Sequence, residues 1–274
     1  MHATRRWSMR PVSMYWRNEL PSILQGKKGL VIGIANHHSI AWGAAQAFHA
    51  GGAELAVTWL DDKARAYVEP LAAQLDVSLS MPLDVQEDGA MEAVFAAIAQ
   101  RWGKLDFVLH SIAFAPGADL HGRVVDCSRA GFAQAMDISC HSFMRAARLA
   151  EPLMSDGGCL LTMSYLGADE VIANYGLMGP VKAALESATR YIAAELGTKG
   201  IRAHAISPGP IATRAASGIA HFDELLERAA ASVPAGQLVD IADVGALAAF
   251  LVSDAARRIT GTIIPVDAGQ HLRA

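Results

Sequence analysis

The sequence predicts an α/β fold: a doubly wound, seven-stranded parallel sheet with helices on both faces. Three observations predict it. From Lys28 onward, short β-branched or apolar runs alternate with longer stretches of helical periodicity. The 274 residues are 52% apolar, ample for a sheet buried on both sides. No internal repeat, low-complexity tract or linker gives a second domain a place to begin. Right-handed crossovers then put a ligand crevice at the carboxyl ends of the strands.

Taken in order, strands are predicted at 29–34, 53–58, 77–81, 105–110, 158–163, 201–206 and 262–266. Helices are predicted at 41–50, 62–75, 88–102, 128–154, 174–197 and 240–252. Residues 26–274 read as one dinucleotide-binding and catalytic domain. Residues 1–25 read as an extension, flexible or packed at an interface: Arg5, Arg6, Arg10 and Arg17 face one acid, Glu19, with Trp7, Tyr15 and Trp16 interleaved. No continuous apolar run follows the arginines, so a secretory signal is not expected, although an organelle address shares this composition.

Composition excludes several classes. A net charge of −4 with 18% charged residues supplies no basic field for nucleic acid. No stretch approaches the roughly 18–20 apolar residues of a spanning helix, so no membrane partner is expected. Cys127, Cys140 and Cys159 are scattered and form no CxxC pair, which fits a reducing, cytoplasmic setting. No metal is expected: the histidines form no HExxH, and His37-His38 are adjacent and cannot both face one site. No GxSxG elbow is present.

The first strand runs into Gly33-Ile34-Ala35-Asn36-His37-His38-Ser39-Ile40-Ala41-Trp42-Gly43. Gly33 stands where a backbone would approach a pyrophosphate, and Ser39 at the amino terminus of the next helix. The strict GxGxxG is absent, and a plain strand–helix turn has the same composition. After the second strand, Leu60-Asp61-Asp62 precedes any cation; the carboxylates would repel a ribose 2′-phosphate, which favours NADH over NADPH, and either one also suits a helix cap. Asp84 suits an adenine contact or a turn. The small residues of His110-Ser111-Ile112-Ala113-Phe114-Ala115-Pro116-Gly117 let a flat ring lie against the backbone. Past the sixth strand, Ser207-Pro208-Gly209-Pro210-Ile211-Ala212-Thr213-Arg214 frees backbone groups to hold a carboxamide. Residues 215–231 suit a mobile lid or an ordinary surface helix.

The sharpest constellation follows the fifth strand: Tyr165, Tyr175 and Lys182. A seven-residue separation places Tyr175 and Lys182 on one helix face, two turns or about 10 Å apart. The lysine then reaches a cofactor ribose while the phenol reaches a substrate, and a nearby ammonium would lower the phenol pKa.

Gly33 with Ser39-Ile40-Ala41 and Gly43, His110-Ser111-Ile112, Ser164-Tyr165-Leu166-Gly167, Tyr175 with Met178-Gly179 and Lys182, and residues 206–218 together resemble the NADH-dependent enoyl-acyl-carrier-protein reductases. These form a divergent branch of the short-chain dehydrogenase/reductase superfamily, with a Rossmann-type fold. Ordinary members of that superfamily carry Tyr-x3-Lys, which is absent here; the Tyr-x6-Lys spacing is similar to the enoyl-reducing branch. The resemblance implies hydride transfer from NADH to the β-carbon of a trans-2-enoyl thioester in fatty-acid elongation. It implies that Tyr175 stabilises the enolate, Lys182 binds the ribose hydroxyls, and Tyr165 lines the substrate site and assists. By the same resemblance, Gly33, Ser39, Ile40, Leu60, Asp84, Val85, Ile112, Ile211, Ala212, Thr213, Arg214 and Ala215 contact the dinucleotide. Ala115, Met178 and Phe222 contact substrate. The implied partners are an acyl carrier protein or CoA thioester, and a homotetramer packed through helices 128–154 and 174–197. Asp223 and Glu224 would repel an acidic carrier, leaving Arg214, Arg190 or another patch to dock it.

Overall fold

The computed structural model describes residues 22–213 and 222–272. Its sheet has seven parallel strands: β1 (Lys28–Ile32), β2 (Glu54–Trp59), β3 (Leu79–Pro82), β4 (Phe107–His110), β5 (Gly158–Met163), β6 (Ile201–Pro208) and β7 (Thr262–Val266). Their order in space is β3-β2-β1-β4-β5-β6-β7. The chain builds outward from β1 in one direction, then returns to start β4 on its other side. This makes the β1/β4 boundary the switch point, where the following segments diverge to opposite faces and leave a crevice.

Apolar side chains fill both faces. On one, α1 (Ile40–Ala50) crosses the late helix Ile241–Val252 so closely that a Cβ on Gly43 would lie 2.2 Å from the Ile241 carbonyl oxygen. Trp42, Phe48, Val244 and Leu251 are buried there. On the other face, α3 (Ala90–Trp102) contributes Phe95 and Ile98 to a core completed by Phe143 and Leu185. The edges are the less buried strands, β3 and β7; β7 carries an exposed Pro265, which an edge tolerates because a ladder donor is not needed there.

The remaining helices are α2 (Asp62–Gln74), α4 (Gly117–Leu120), α5 (Arg129–Met136), α6 (Ser142–Ala150), α7 (Met178–Leu196), α8 (Phe222–Ser232) and α9 (Ile241–Val252). Three expectations need correction. The single helix expected at 128–154 is α5, a π turn (Asp137–His141), α6 and a 3-10 turn (Glu151–Leu153). At the break, Ser142 Oγ donates to the Ile138 carbonyl, 2.6 Å. The helix expected from 174 starts only at Met178, so Tyr175 precedes it; Asn174 and Gly176 take left-handed backbone, φ 62° and 44°, which a helix excludes. Finally, Leu24, assigned to the extension, is fully buried and its N–H donates to the Gly51 carbonyl. The packed body therefore reaches back to Leu24. Among the described residues, no helix is long and apolar enough to cross a membrane.

Candidate active site

The site assembles at the carboxyl ends of β1, β4, β5 and β6. Gly33, just past β1, has φ 110°, and a Cβ there would stand 2.1 Å from the Ser111 carbonyl oxygen. Only glycine lets the exits of β1 and β4 lie this close. Ser39 Oγ accepts the N–H groups of Ala35 and Asn36, each at 3.0 Å, and so shapes the turn into α1. The amino terminus of α1 has no side-chain cap and no acid in its first turn, leaving its positive end open to an anion.

On the β2–β3 side, Leu60 is 57% exposed, and Asp61 caps α2 by accepting the Ala64 N–H at 2.7 Å. Of the two cations that follow, Lys63 is exposed, and Arg65 pairs with Glu69 at 2.7 Å and lies over the Trp59 ring. Asp84 closes a turn by accepting the Gln86 N–H at 2.9 Å. Buried Val85 gives its carbonyl to the Arg145 guanidinium.

Below the β4 exit, His110 is fully buried, with Nε2 2.7 Å from Ser142 Oγ and Nδ1 3.2 Å from Thr162 Oγ1. Because Ser142 already donates to Ile138, it can only accept from His110; Nε2 therefore carries the proton and Nδ1 accepts from Thr162. Burial, reinforced by the Lys182 charge, pushes the imidazole down to about 3, so it is neutral at physiological pH. Ser139, in the π turn, accepts the Phe114 N–H and donates to its carbonyl. The helix break thus anchors the loop that follows β4.

From the β5 exit come Met163, Ser164 and Tyr165. The Tyr165 and Tyr175 rings meet at 4.8 Å between centroids. Lys182, in the second turn of α7 and 4% exposed, donates from Nζ to the Met163 carbonyl at 2.6 Å. Burial lowers the Lys182 ammonium to about 8, opposed by Cys140 and Glu186. Burial also holds the Tyr175 phenol well above its ordinary range, with Tyr165 and Glu186 adding to the effect. This corrects the expectation that a neighbouring ammonium lowers it: desolvation prevails, and the phenol remains an O–H donor. Tyr165 is pushed up to about 12 by burial, partly offset by a hydrogen bond from Gln270.

These groups share a cavity of about 440 Å³. Its walls include Ile40, Ile112, Ala115, Tyr165, Tyr175, Met178, Lys182, Ile211 and Thr213, nine residues singled out from sequence. Ala212 lines a neighbouring crevice with His38, Leu226 and Ile241. Gly33, Ser39, Leu60, Asp84 and Val85 do not line the cavity; they lie at or beyond the switch point toward β3. Arg214 and residues 215–221 of the segment expected as a lid, with the side chains of Phe222, Asp223 and Leu225, lie outside the described residues, and the rest of that segment is the helix α8. Sequence reasoning missed His110, Ser139 and Glu186 as supports of the site. Of these, Glu186 had a signal, since it follows Lys182 by four residues and so shares its helix face.

The family model for enoyl-(acyl carrier protein) reductase matches residues 33–271, a span that holds every residue named in this site from Gly33 onward. The chain belongs to this family. It is 45% identical over 249 residues to the enoyl-[acyl-carrier-protein] reductase [NADH] 1 of Rhizobium meliloti, covering 91% of this chain and 92% of that protein. It is 46% identical over 252 residues to the enoyl-[acyl-carrier-protein] reductase [NADH] FabI of Escherichia coli, covering 92% and 96%. Among solved structures, the Anaplasma phagocytophilum reductase in complex with NAD superposes with a TM-score of 0.88 at 44% identity, covering 91% of this chain and 95% of that one. The Bacillus cereus reductase with NADP+ and an indole naphthyridinone superposes at 0.89 and 43% identity, covering 91% and 98%.

Proposed function

We propose that this reductase transfers hydride from NADH to the β-carbon of a trans-2-enoyl thioester, a reductive step of fatty-acid elongation. The observation that carries the reading is the buried, protonated Tyr175 beside a buried Lys182 in one largely apolar cavity at the sheet's switch point.

The residues present fit a dinucleotide. An uncapped helix terminus next to a glycine that tolerates no Cβ suits a pyrophosphate, and the Lys182 ammonium opens on the same cavity. NADH would be held by Gly33, Ser39, Ile40 and Ile112 near the switch point, and by Leu60, Asp84 and Val85 toward the adenosine. Residues Ile211, Ala212, Thr213, Arg214 and Ala215 would hold the carboxamide side, and Lys182 the ribose. Exposed Asp61 and Asp62 would repel a 2′-phosphate; of the cations that follow, Lys63 sits beside both carboxylates and Arg65 is already paired with Glu69, so each offers it weak compensation. When bound, the nicotinamide supplies the hydride.

The chain's part is electrostatic. Hydride arriving at the β-carbon drives negative charge onto the thioester carbonyl oxygen, the Tyr175 O–H donates to that oxygen, and a proton taken up at the α-carbon, drawn from solvent by way of that hydroxyl, completes the saturated thioester. Because burial keeps this phenol protonated, it meets the developing enolate as a neutral donor. Tyr165 packs beside it and assists. Ala115 and Met178, with Phe222 from α8, would contact the acyl chain, and apolar walls exclude water from the reacting carbons.

The substrate would arrive on an acyl carrier protein or as a CoA thioester, in the cytoplasm. Exposed Glu224 and Glu227 on α8 disfavour an acidic carrier at that helix, so docking would use Arg190, Arg214 or another basic patch. A homotetramer would cover Phe132, Met144 and Tyr191, exposed on α5, α6 and α7. The function is tested by steady-state NADH oxidation with enoyl and 3-oxoacyl thioesters, each as CoA and carrier conjugates. Enoyl thioesters should be consumed; turnover of 3-oxoacyl thioesters alone would make the chain a ketone reductase of the same fold.

A further inference from the structure

Two consecutive residues at the end of β5 are gripped from α7 at points one turn apart. Lys182 Nζ donates to the Met163 carbonyl, and Ser164 Oγ donates to the Glu186 carboxylate. Glu186 is 4% exposed, as buried as Lys182, and Ser164 lines the cavity. Burying a carboxylate is costly, and an apolar side chain would pack here without that penalty. We propose that Glu186 is a positioning residue of the reductase site: through Ser164 it fixes the β5 exit against α7, and through its charge it keeps Lys182 an ammonium donor for the cofactor ribose. The inference rests on Lys182 being the ribose-binding group.

The surroundings single out Glu186 for this task. Lys182 is faced by His110 from β4, Cys140 from the π turn and Glu186 from its own helix. His110 is neutral, and burial raises the Cys140 thiol, so Glu186 is the carboxylate acting on the ammonium. Glu186 itself is faced by Ser164, Asp169, Arg190 and Lys182, and its charge is felt by Tyr175. Burial raises its carboxyl, while the Ser164 hydroxyl, Arg190 and Lys182 favour the ionised form.

Glu186→Gln keeps the volume and the acceptor for Ser164 but removes the charge; Ser164→Ala cuts the clamp and leaves the charge. NADH affinity would be measured by fluorescence titration from about pH 6 to about pH 9, where the Lys182 ammonium titrates, with kcat, KM and the melting temperature alongside. Wild-type affinity should fall as pH rises through about 8. In Glu186→Gln the fall should begin about one pH unit lower and converge with wild type at the acid end, where the lysine is protonated in both. Ser164→Ala should raise KM for NADH several-fold at every pH and move the profile less than Glu186→Gln does, since Arg190 and Lys182 still favour the ionised carboxylate. A Glu186→Gln profile that superimposes on wild type, with or without a lower melting temperature, overturns the proposal. Wild-type protein that binds no NADH overturns the reading on which it rests.

Discussion

Replacing Gly33 by alanine tests the geometry on which the site is built. The new methyl would sit 2.1 Å from the Ser111 carbonyl oxygen and 2.7 Å from its carbon, backbone atoms that no rotamer change can move. The residue would also have to hold φ 110°, a conformation costing a non-glycine residue about 1–2 kcal/mol. Pushing Ser111 away strains the 2.9 Å bond from its N–H to the Ile32 carbonyl, worth about 1 kcal/mol, and displacing the packed strand exit adds about 1 more. The sum is about 3–4 kcal/mol, or a melting temperature lower by about 10 °C in a domain of this size. Gly103→Ala is the control: φ is 68° there, but nothing lies within 4 Å of the added methyl, so the backbone term alone remains, about 1 kcal/mol. Thermal unfolding by circular dichroism, with NADH titration on both variants, reads the difference. Gly33→Ala should melt well below Gly103→Ala and bind NADH more weakly, since Ser111 lines the cavity. Equal melting temperatures and wild-type affinity would refute the claim that this contact sets the switch-point geometry.

Other perturbations separate chemistry from stability. Tyr175→Phe should lower kcat by about 10²-fold or more while leaving NADH affinity near wild type, because only the donor to the enolate is lost; stopped-flow turnover beside fluorescence titration checks both. His110→Leu should destabilise by about 2–4 kcal/mol, since the hydroxyls of Thr162 and Ser142 lose their buried partner; chemical denaturation measures it. Glu54, held down to about 2 first by its hydrogen bond with Lys28 and then by Ser78, gives an acid-side signature. Its contribution is fully present above the ordinary carboxylate value of 4.5 and is lost as pH falls through about 2. After discounting for partial exposure, Glu54→Gln should be less stable at neutral pH by about 1–2 kcal/mol, the gap closing toward pH 2 in a denaturant series.

The fold was legible because the strands and the longer helices announce themselves locally, whereas the short α4 left no signal. β5 and β7 match their expected spans, and the other strands differ by one or two residues at an end. The π turn was not legible: the Ser142 hydroxyl at its end serves both Ile138 and a histidine on a strand, and apolar periodicity carries no trace of that contact. Tyr175 was found by its spacing from Lys182, yet placed on a helix it does not join; the flanking Asn174 and Gly176 are turn formers whose signal the spacing obscured. Gly33 follows the first strand as expected, and the obstacle to a side chain that the structure shows there is the Ser111 backbone, a contact between strand exits that the sequence does not display. Glu186 escaped notice because a buried carboxylate reads in sequence as one more polar helix position.

The most direct test follows the hydride. With NADH deuterated at the transferring position of the nicotinamide and a trans-2-enoyl thioester, the saturated product should carry deuterium at the β-carbon by NMR, and Tyr175→Phe should form that product far more slowly. Deuterium recovered at a carbinol carbon from a 3-oxoacyl thioester, with the enoyl thioester untouched by folded, NADH-binding protein, would contradict the account.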